Sequence, residues 1–234
     1  KFLDCSGSEL KSANLMLFNQ ALSTKDVAVV SSFCSNYSDK GIFLTLLASP
    51  DHITSCDQLH SLKMSGLSAI TFHSYHQYIT KGVYSDFSKL AGWAEELKMP
   101  ILIDGSYGTL DIYNIDNLDF VAYLASLVKN VPIVIMHSGG ARILEAMLLV
   151  ESTSNLFLET SFTLPYYTGS SVENDLAFAY KKIGLERVVY GCDYPYITRE
   201  ASMAASLSFF DNYNFGLSAQ EWILSRTFSR IFGT

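Results

Sequence analysis

Short apolar runs recur along the chain, each closed by a polar turn and most leading into a stretch with helical spacing of its apolar positions. Eight stand out: Phe2-Leu3, Val27-Ala28-Val29-Val30, Ile42-Phe43-Leu44-Thr45-Leu46-Leu47, Ala69-Ile70-Thr71-Phe72, Ile101-Leu102-Ile103, Ile133-Val134-Ile135-Met136, Leu156-Phe157-Leu158 and Val188-Val189-Tyr190. Runs that are apolar at nearly every position, rather than at every second one, belong to strands buried on both faces, as in a parallel sheet. Between them the periodicity predicts helices over Glu9–Leu22, Tyr84–Leu97, Leu118–Lys129, Ala141–Leu149 and Glu173–Ile183, with Gly184 as the C-terminal cap of the last. Only Phe33–Gly41 separates the second run from the third, which leaves no room for a full helix there. Beyond the eighth run, Arg199–Asn212 and Ser218–Phe232 predict two more helices, the second opened by a capping box of Ser218 and Glu221.

Strand and helix alternating in this way define an α/β architecture. Eight such units in 234 residues predict a compact (β/α)8 TIM barrel with an extra C-terminal helix, an open doubly wound sheet being the alternative. No linker, repeat or low-complexity stretch divides residues 1–234, so a single domain is expected.

Composition narrows the partners. An apolar content of 49% supplies a sizeable core, and no run is long enough to cross a bilayer. The net charge of −7, with no basic cluster, argues against nucleic acid or a membrane surface. Cys5, Cys34, Cys56 and Cys192 are scattered without metal-binding or redox spacing, which fits a reduced, cytoplasmic setting. A small-molecule substrate is the expected partner, and exposed aromatics in the last two helices are compatible with a homodimer.

Chemistry gathers just past the apolar runs, where parallel α/β folds place their sites. Asp193 follows the eighth run, and a carboxylate there cannot serve the core because an unpaired buried charge is costly. His137 follows the sixth and precedes Ser138-Gly139-Gly140, a turn able to present backbone N–H groups to an anion. Asp104 ends the fifth, Glu159 the seventh, and His73 the fourth, with His76 three residues on. Three of the five histidines thus lie at strand ends, whereas His52 and His60 fall in a loop and a polar helix. The catalytic candidates are His137, Asp193 and Asp104, the substrate-binding ones His73, Tyr75, Tyr107, Glu159 and Tyr194. Cys192 reads as a small buried side chain rather than a nucleophile.

With these residues placed, the chain resembles the amidohydrolase-related family, metal-dependent TIM barrels that include aminocarboxymuconate-semialdehyde decarboxylase. The likeness is most specific in Val131-Pro132-Ile133-Val134-Ile135-Met136-His137-Ser138-Gly139-Gly140 and Val188-Val189-Tyr190-Gly191-Cys192-Asp193-Tyr194-Pro195. The resemblance implies a divalent metal held by a His-x-His pair at the first strand, a histidine at the fifth and an aspartate at the eighth. A histidine at the sixth strand acts as acid, base or further ligand. Asp193 and His137 match the last two. Ser6 and Ser8 stand where the paired histidines belong, and Asp104 replaces the fifth-strand histidine.

That departure leaves two expectations for the centre. A rebuilt site of Asp193, His137 and Asp104 would take Mg²⁺ or Mn²⁺ more readily than Zn²⁺, since hard oxygen ligands favour hard cations. Otherwise the pocket holds no metal and works by acid/base chemistry. The resemblance implies a hydrolase or carboxy-lyase for a small organic substrate. The alternatives are a catalytically degenerate member that binds or assembles, and a metal-free lyase or isomerase.

Overall fold

The structure, a computed structural model, describes residues 10–37 and 40–233. Among these, seven parallel strands form one sheet: β1 (Ser12–Leu17), β2 (Gly41–Leu47), β3 (Leu67–Phe72), β4 (Ile101–Asp104), β5 (Ile133–Met136), β6 (Leu156–Glu159) and β7 (Val188–Val189). They pair strictly in chain order, β1 to β7. A doubly wound sheet reverses its strand order at a switch point, and no reversal occurs here. The fold is an α/β TIM barrel, as expected. The run at Phe2-Leu3, together with Ser6 and Ser8, lies outside the described residues.

The helices are α1 (Thr24–Cys34), α2 (Cys56–Met64), α3 (Tyr84–Glu96), α4 (Asn117–Leu127), α5 (Ile143–Ser152), α6 (Thr163–Tyr167), α7 (Ser171–Ile183) and α8 (Arg199–Asn212). They are followed by α9 (Leu217–Glu221), a π-helical turn over Trp222–Arg226, and α10 (Thr227–Phe232). No helix among the described residues is long and apolar enough to cross a membrane.

Two elements near the start exchange the assignments that periodicity gives them. The expected helix over Glu9–Leu22 contains strand β1, and the expected strand Val27–Val30 lies inside helix α1. Capping explains the second. Ser23 accepts the Asp26 N–H, and the Asp26 carboxylate accepts the Ser23 N–H at 2.9 Å, a reciprocal box that nucleates a helix through the valines. Val27 and Cys34 turn inward while Val29 stays exposed, which is helical rather than strand burial. The helix therefore spans the second run itself and connects β1 to β2, and between that run and the third only its last turn and a 3-10 turn over Ser35–Tyr37 follow, so no full helix falls there. At the other end, Ser218 lies within α9 and caps nothing; Gly216 is its N-cap.

Strand alternation divides the core in two. Ile70, Ile101, Ile103, Ile133, Ile135, Leu156, Leu158 and Val188 face the helices and join the larger apolar cluster. Ala69, Leu102, Val134, Met136, Phe157 and Val189 face the lumen and meet Ile231 of α10. Both faces are thus covered, which is why the runs carry few polar residues. Phe228 and Phe232 pack on Phe43 with ring centroids 5.6 and 4.9 Å apart, so α10 plugs the N-terminal end of the lumen. Polar side chains are left for the other end.

Candidate active site

In-register pairing sets Asp104 beside Met136 on β4 and β5, and Glu159 beside Val189 on β6 and β7. Two carboxylates therefore occupy the inner wall at the C-terminal strand ends, with His73 and His137 one residue past β3 and β5.

Asp104 is the hub. Its side chain is 5% exposed, and its Oδ2 lies 3.3 Å from His137 Nε2 and 3.6 Å from His73 Nε2. Its Oδ1 accepts the backbone N–H and the hydroxyl of Ser106, at 2.9 and 2.6 Å. Burial alone would raise this carboxyl, but the hydrogen bond from His137, the charges of both histidines and the Ser106 hydroxyl outweigh it and hold Asp104 down to about 2. Burial likewise opposes charge on His137, yet the Asp104 carboxylate, with help from Glu159 and the Ser161 carbonyl, lifts it to about 9. His73 goes the other way: burial outweighs Asp104 and keeps it below its ordinary value. One imidazole is therefore cationic at neutral pH and its neighbour neutral, an arrangement that separates acid from base.

The turn carrying His137 is strained. His137 and Ser138 adopt φ of 57° and 51°, followed by Gly139 and Gly140 at 78° and 55°. Non-glycine residues persist there only when their surroundings hold them. Here Glu159 Oε2 accepts the His137 N–H at 3.1 Å, Thr163 Oγ1 donates to the His137 carbonyl at 2.7 Å, and Ser138 Oγ donates to the Glu159 carbonyl at 2.8 Å. The His137 N–H is thus committed to a carboxylate.

Asp193, at φ 60°, occupies the loop after β7. Among the described residues its carboxylate has no hydrogen-bond or ion-pair partner, although it is partly exposed and feels the charges of His137, Asp104 and His73. Burial, its largest influence, raises its proton affinity.

The remaining expected residues divide. Tyr75 has a buried hydroxyl without a partner among the described residues, and burial, with Asp104 and Asp116 nearby, pushes it up to about 12. Tyr107 is engaged: its hydroxyl donates to Asp116 at 2.9 Å and accepts from Leu118 N–H and Arg142. Glu159 is buried beneath His137 rather than open to a ligand. Tyr194 is exposed on the rim, and His76 is exposed with its N–H directed at His73 Nδ1.

Residues that the strand-end inventory gave no role complete the walls. Phe18 meets the His73 ring edge-on at 5.5 Å, and Phe162 meets His137 at 6.3 Å. Phe18 follows a strand where a helix was expected, so only a correct assignment of β1 would have found it. A cavity of about 920 Å³ also opens at the opposite, N-terminal end, between Pro100, Pro132 and Phe232, and includes none of these groups.

The Amidohydrolase family model matches residues 64–233, and the chain belongs to that family. An uncharacterized TIM-barrel protein from Bordetella bronchiseptica is similar in structure, at a TM-score of 0.73 and 16% identity over 95% of this chain and 78% of that one. A probable 2-pyrone-4,6-dicarboxylic acid hydrolase from Acinetobacter baumannii gives 0.64 and 18%, over 94% and 83%. The 5-carboxyvanillate decarboxylase LigW from Sphingomonas paucimobilis gives 0.66 and 12%, over 99% and 81%. No curated protein matches the sequence.

The family is typically metal-dependent, which makes the fit of these residues to a cation a question for the geometry. Among the described residues no group of three or more His, Cys, Asp or Glu side chains converges as a metal requires. The two Nε2 atoms are turned to one carboxylate oxygen, and the other oxygen is occupied by Ser106. The described residues alone do not fit the centre that the family resemblance implies.

Proposed function

We propose that the chain is a hydrolase of small, planar carbonyl compounds, with Asp193 as the base that takes a proton from water. The observation that carries this is the pairing of a partly exposed carboxylate, free of partners among the described residues, with a buried, cationic His137. Burial makes Asp193 a stronger base than a solvated aspartate, and water can reach it. His137 Nε2–H supplies positive charge where a carbonyl oxygen becomes an oxyanion, and Asp104 holds the ring in place for it. His73, neutral, accepts or relays a proton on the other side of Asp104. The Tyr75 hydroxyl is available to a substrate oxygen, and Phe18 and Phe162 suit a flat ring.

The similar structures support this reading, one carrying the name of a pyrone dicarboxylic acid hydrolase. A second reading, decarboxylation, is favoured by the likeness to LigW and to a 2,6-dihydroxybenzoate decarboxylase. In that chemistry His137 would return a proton to the carbon that loses carbon dioxide. A reduced, cytoplasmic setting is supported by Cys34, Cys56 and Cys192, all free thiols.

The test is turnover of a panel of lactones, esters and aromatic carboxylates by the wild-type protein and by Asp193→Asn. Lactone or ester hydrolysis lost at least about a hundredfold in Asp193→Asn, with unchanged melting, is expected. Release of carbon dioxide in place of hydrolysis would transfer the assignment to the second reading. Undiminished hydrolysis by Asp193→Asn would remove Asp193 as the base.

A further inference from the structure

Glu159 is buried behind His137 and is not needed to complete the acid/base set, yet a whole strand end is built around it. Its Oε1 accepts the Ser161 N–H at 2.8 Å, and its Oε2 accepts both the His137 N–H at 3.1 Å and the Ser161 hydroxyl at 2.6 Å. A side-chain carbon on residue 191 would collide with Oε1, so Gly191 clears the space that the carboxylate fills.

These contacts decide where hydrogen can sit on the His137 ring. Nδ1 lies 3.0 Å from the Ser161 carbonyl oxygen and 3.0 Å from Ser161 Oγ. The carbonyl can only accept. The hydroxyl has one hydrogen, committed to Glu159, so toward Nδ1 it too can only accept. Two acceptors facing one ring nitrogen require that nitrogen to carry hydrogen. We infer that Glu159, acting through the Ser161 hydroxyl, is a positioning residue that locks a hydrogen on His137 Nδ1 and so makes Nε2, the nitrogen facing Asp104, the only one that exchanges protons.

Without Glu159 the logic inverts. The Ser161 hydroxyl is released to donate to Nδ1, and the ring's hydrogen moves to Nε2, where Asp104 Oδ2 receives it at 3.3 Å. A ring with a single hydrogen then carries it on Nε2, and the Ser161 carbonyl keeps the Thr163 N–H and hydroxyl as its donors. The inference rests on the hydrolase reading only for its effect on turnover, since the hydrogen itself can be observed without a substrate.

The experiment is ¹⁵N NMR of the full chain with labelled histidine, the His137 ring being identified by its loss in His137→Gln. Above pH 9, where the ring holds a single hydrogen, the wild-type Nδ1 is expected to show the shift of a protonated nitrogen. In Glu159→Ala, Nδ1 is expected to move to the shift of a bare nitrogen, while the double variant Glu159→Ala/Ser161→Ala regains the protonated shift because no hydroxyl remains to donate. Ser161→Ala alone, which keeps the carbonyl and the carboxylate, is expected to leave Nδ1 protonated and serves if the Glu159 variants do not fold. A bare Nδ1 in the wild type or in Ser161→Ala, or a protonated one in a folded Glu159→Ala, would overturn the inference. None of these outcomes bears on whether Asp193 is the hydrolytic base, which the turnover panel decides separately.

Discussion

Replacing Asp104 by asparagine should discharge His137 and remove the acid half of the site. The side chain keeps its size and can still meet Ser106, but no longer offers a negative oxygen to the imidazole 3.3 Å away. Burial, which disfavours the charged form, then acts on a ring only 13% exposed against the weaker pull of Glu159 and the Ser161 carbonyl alone. His137 should fall from about 9 toward the ordinary 6.5. At about 1.4 kcal/mol per tenfold change in proton affinity, that gap corresponds to roughly 3 kcal/mol between the charged and neutral ring. The same interaction contributes to folding. Because the native proton affinity of His137 lies above the unfolded one, its share of stability is fully present below pH 6.5 and fades as the pH rises through 9. Asp104, depressed to about 2, gives its share above its unfolded value of 3.8 and loses it as the pH falls toward 2. Proton NMR of the His137 Cε1–H in both proteins reads the titration, and urea unfolding across the pH range reads the stability. A wild-type His137 titrating near 6.5, or an unchanged titration in Asp104→Asn, would refute the reasoning.

Gly191→Ala should drive the Glu159 carboxylate from its place and cost about 2 kcal/mol or more by overpacking, measured by chemical denaturation. Glu95 accepts the N–H groups of Lys129 and Asn130 at 2.7 and 2.6 Å, so Glu95→Ala should lower stability by about 1–2 kcal/mol, seen as an earlier urea midpoint with the same slope. Tyr75→Phe removes a buried hydroxyl that has no partner among the described residues, and should leave or slightly raise the melting temperature while weakening turnover of the identified substrate. A fall in both would mean that the hydroxyl serves the fold.

The strands from β2 onward were legible because both of their faces are covered, which writes the element into consecutive residues. Legibility failed where local and tertiary signals diverge. Val27–Val30 has the composition of a strand, but Ser23 and Asp26 start a helix ahead of it. Ser12–Leu17 is only half covered among the described residues, so its pattern is not continuous. In the site, His73, Asp104, His137 and Asp193 could be found because each stands just past a run. The part played by Glu159 could not, since it depends on Gly191 leaving room and on a serine two residues on, contacts that no local spacing announces. Arg142 was missed for a similar reason: its ion pair with Asp116 spans a loop and a helix that sequence leaves unconnected.

The packing of α10 against Phe43 also has a meaning for the order in which the chain becomes a protein. A ribosome releases residues 12–17 long before residues 227–232, yet among the described residues it is Ile231 and its phenylalanine neighbours that cover the base of the lumen. Until those residues emerge, the nascent sheet exposes an apolar opening at its base, a surface that chaperones and proteases recognise. A message truncated before Thr227 should therefore yield a chain that is degraded rather than a smaller working barrel.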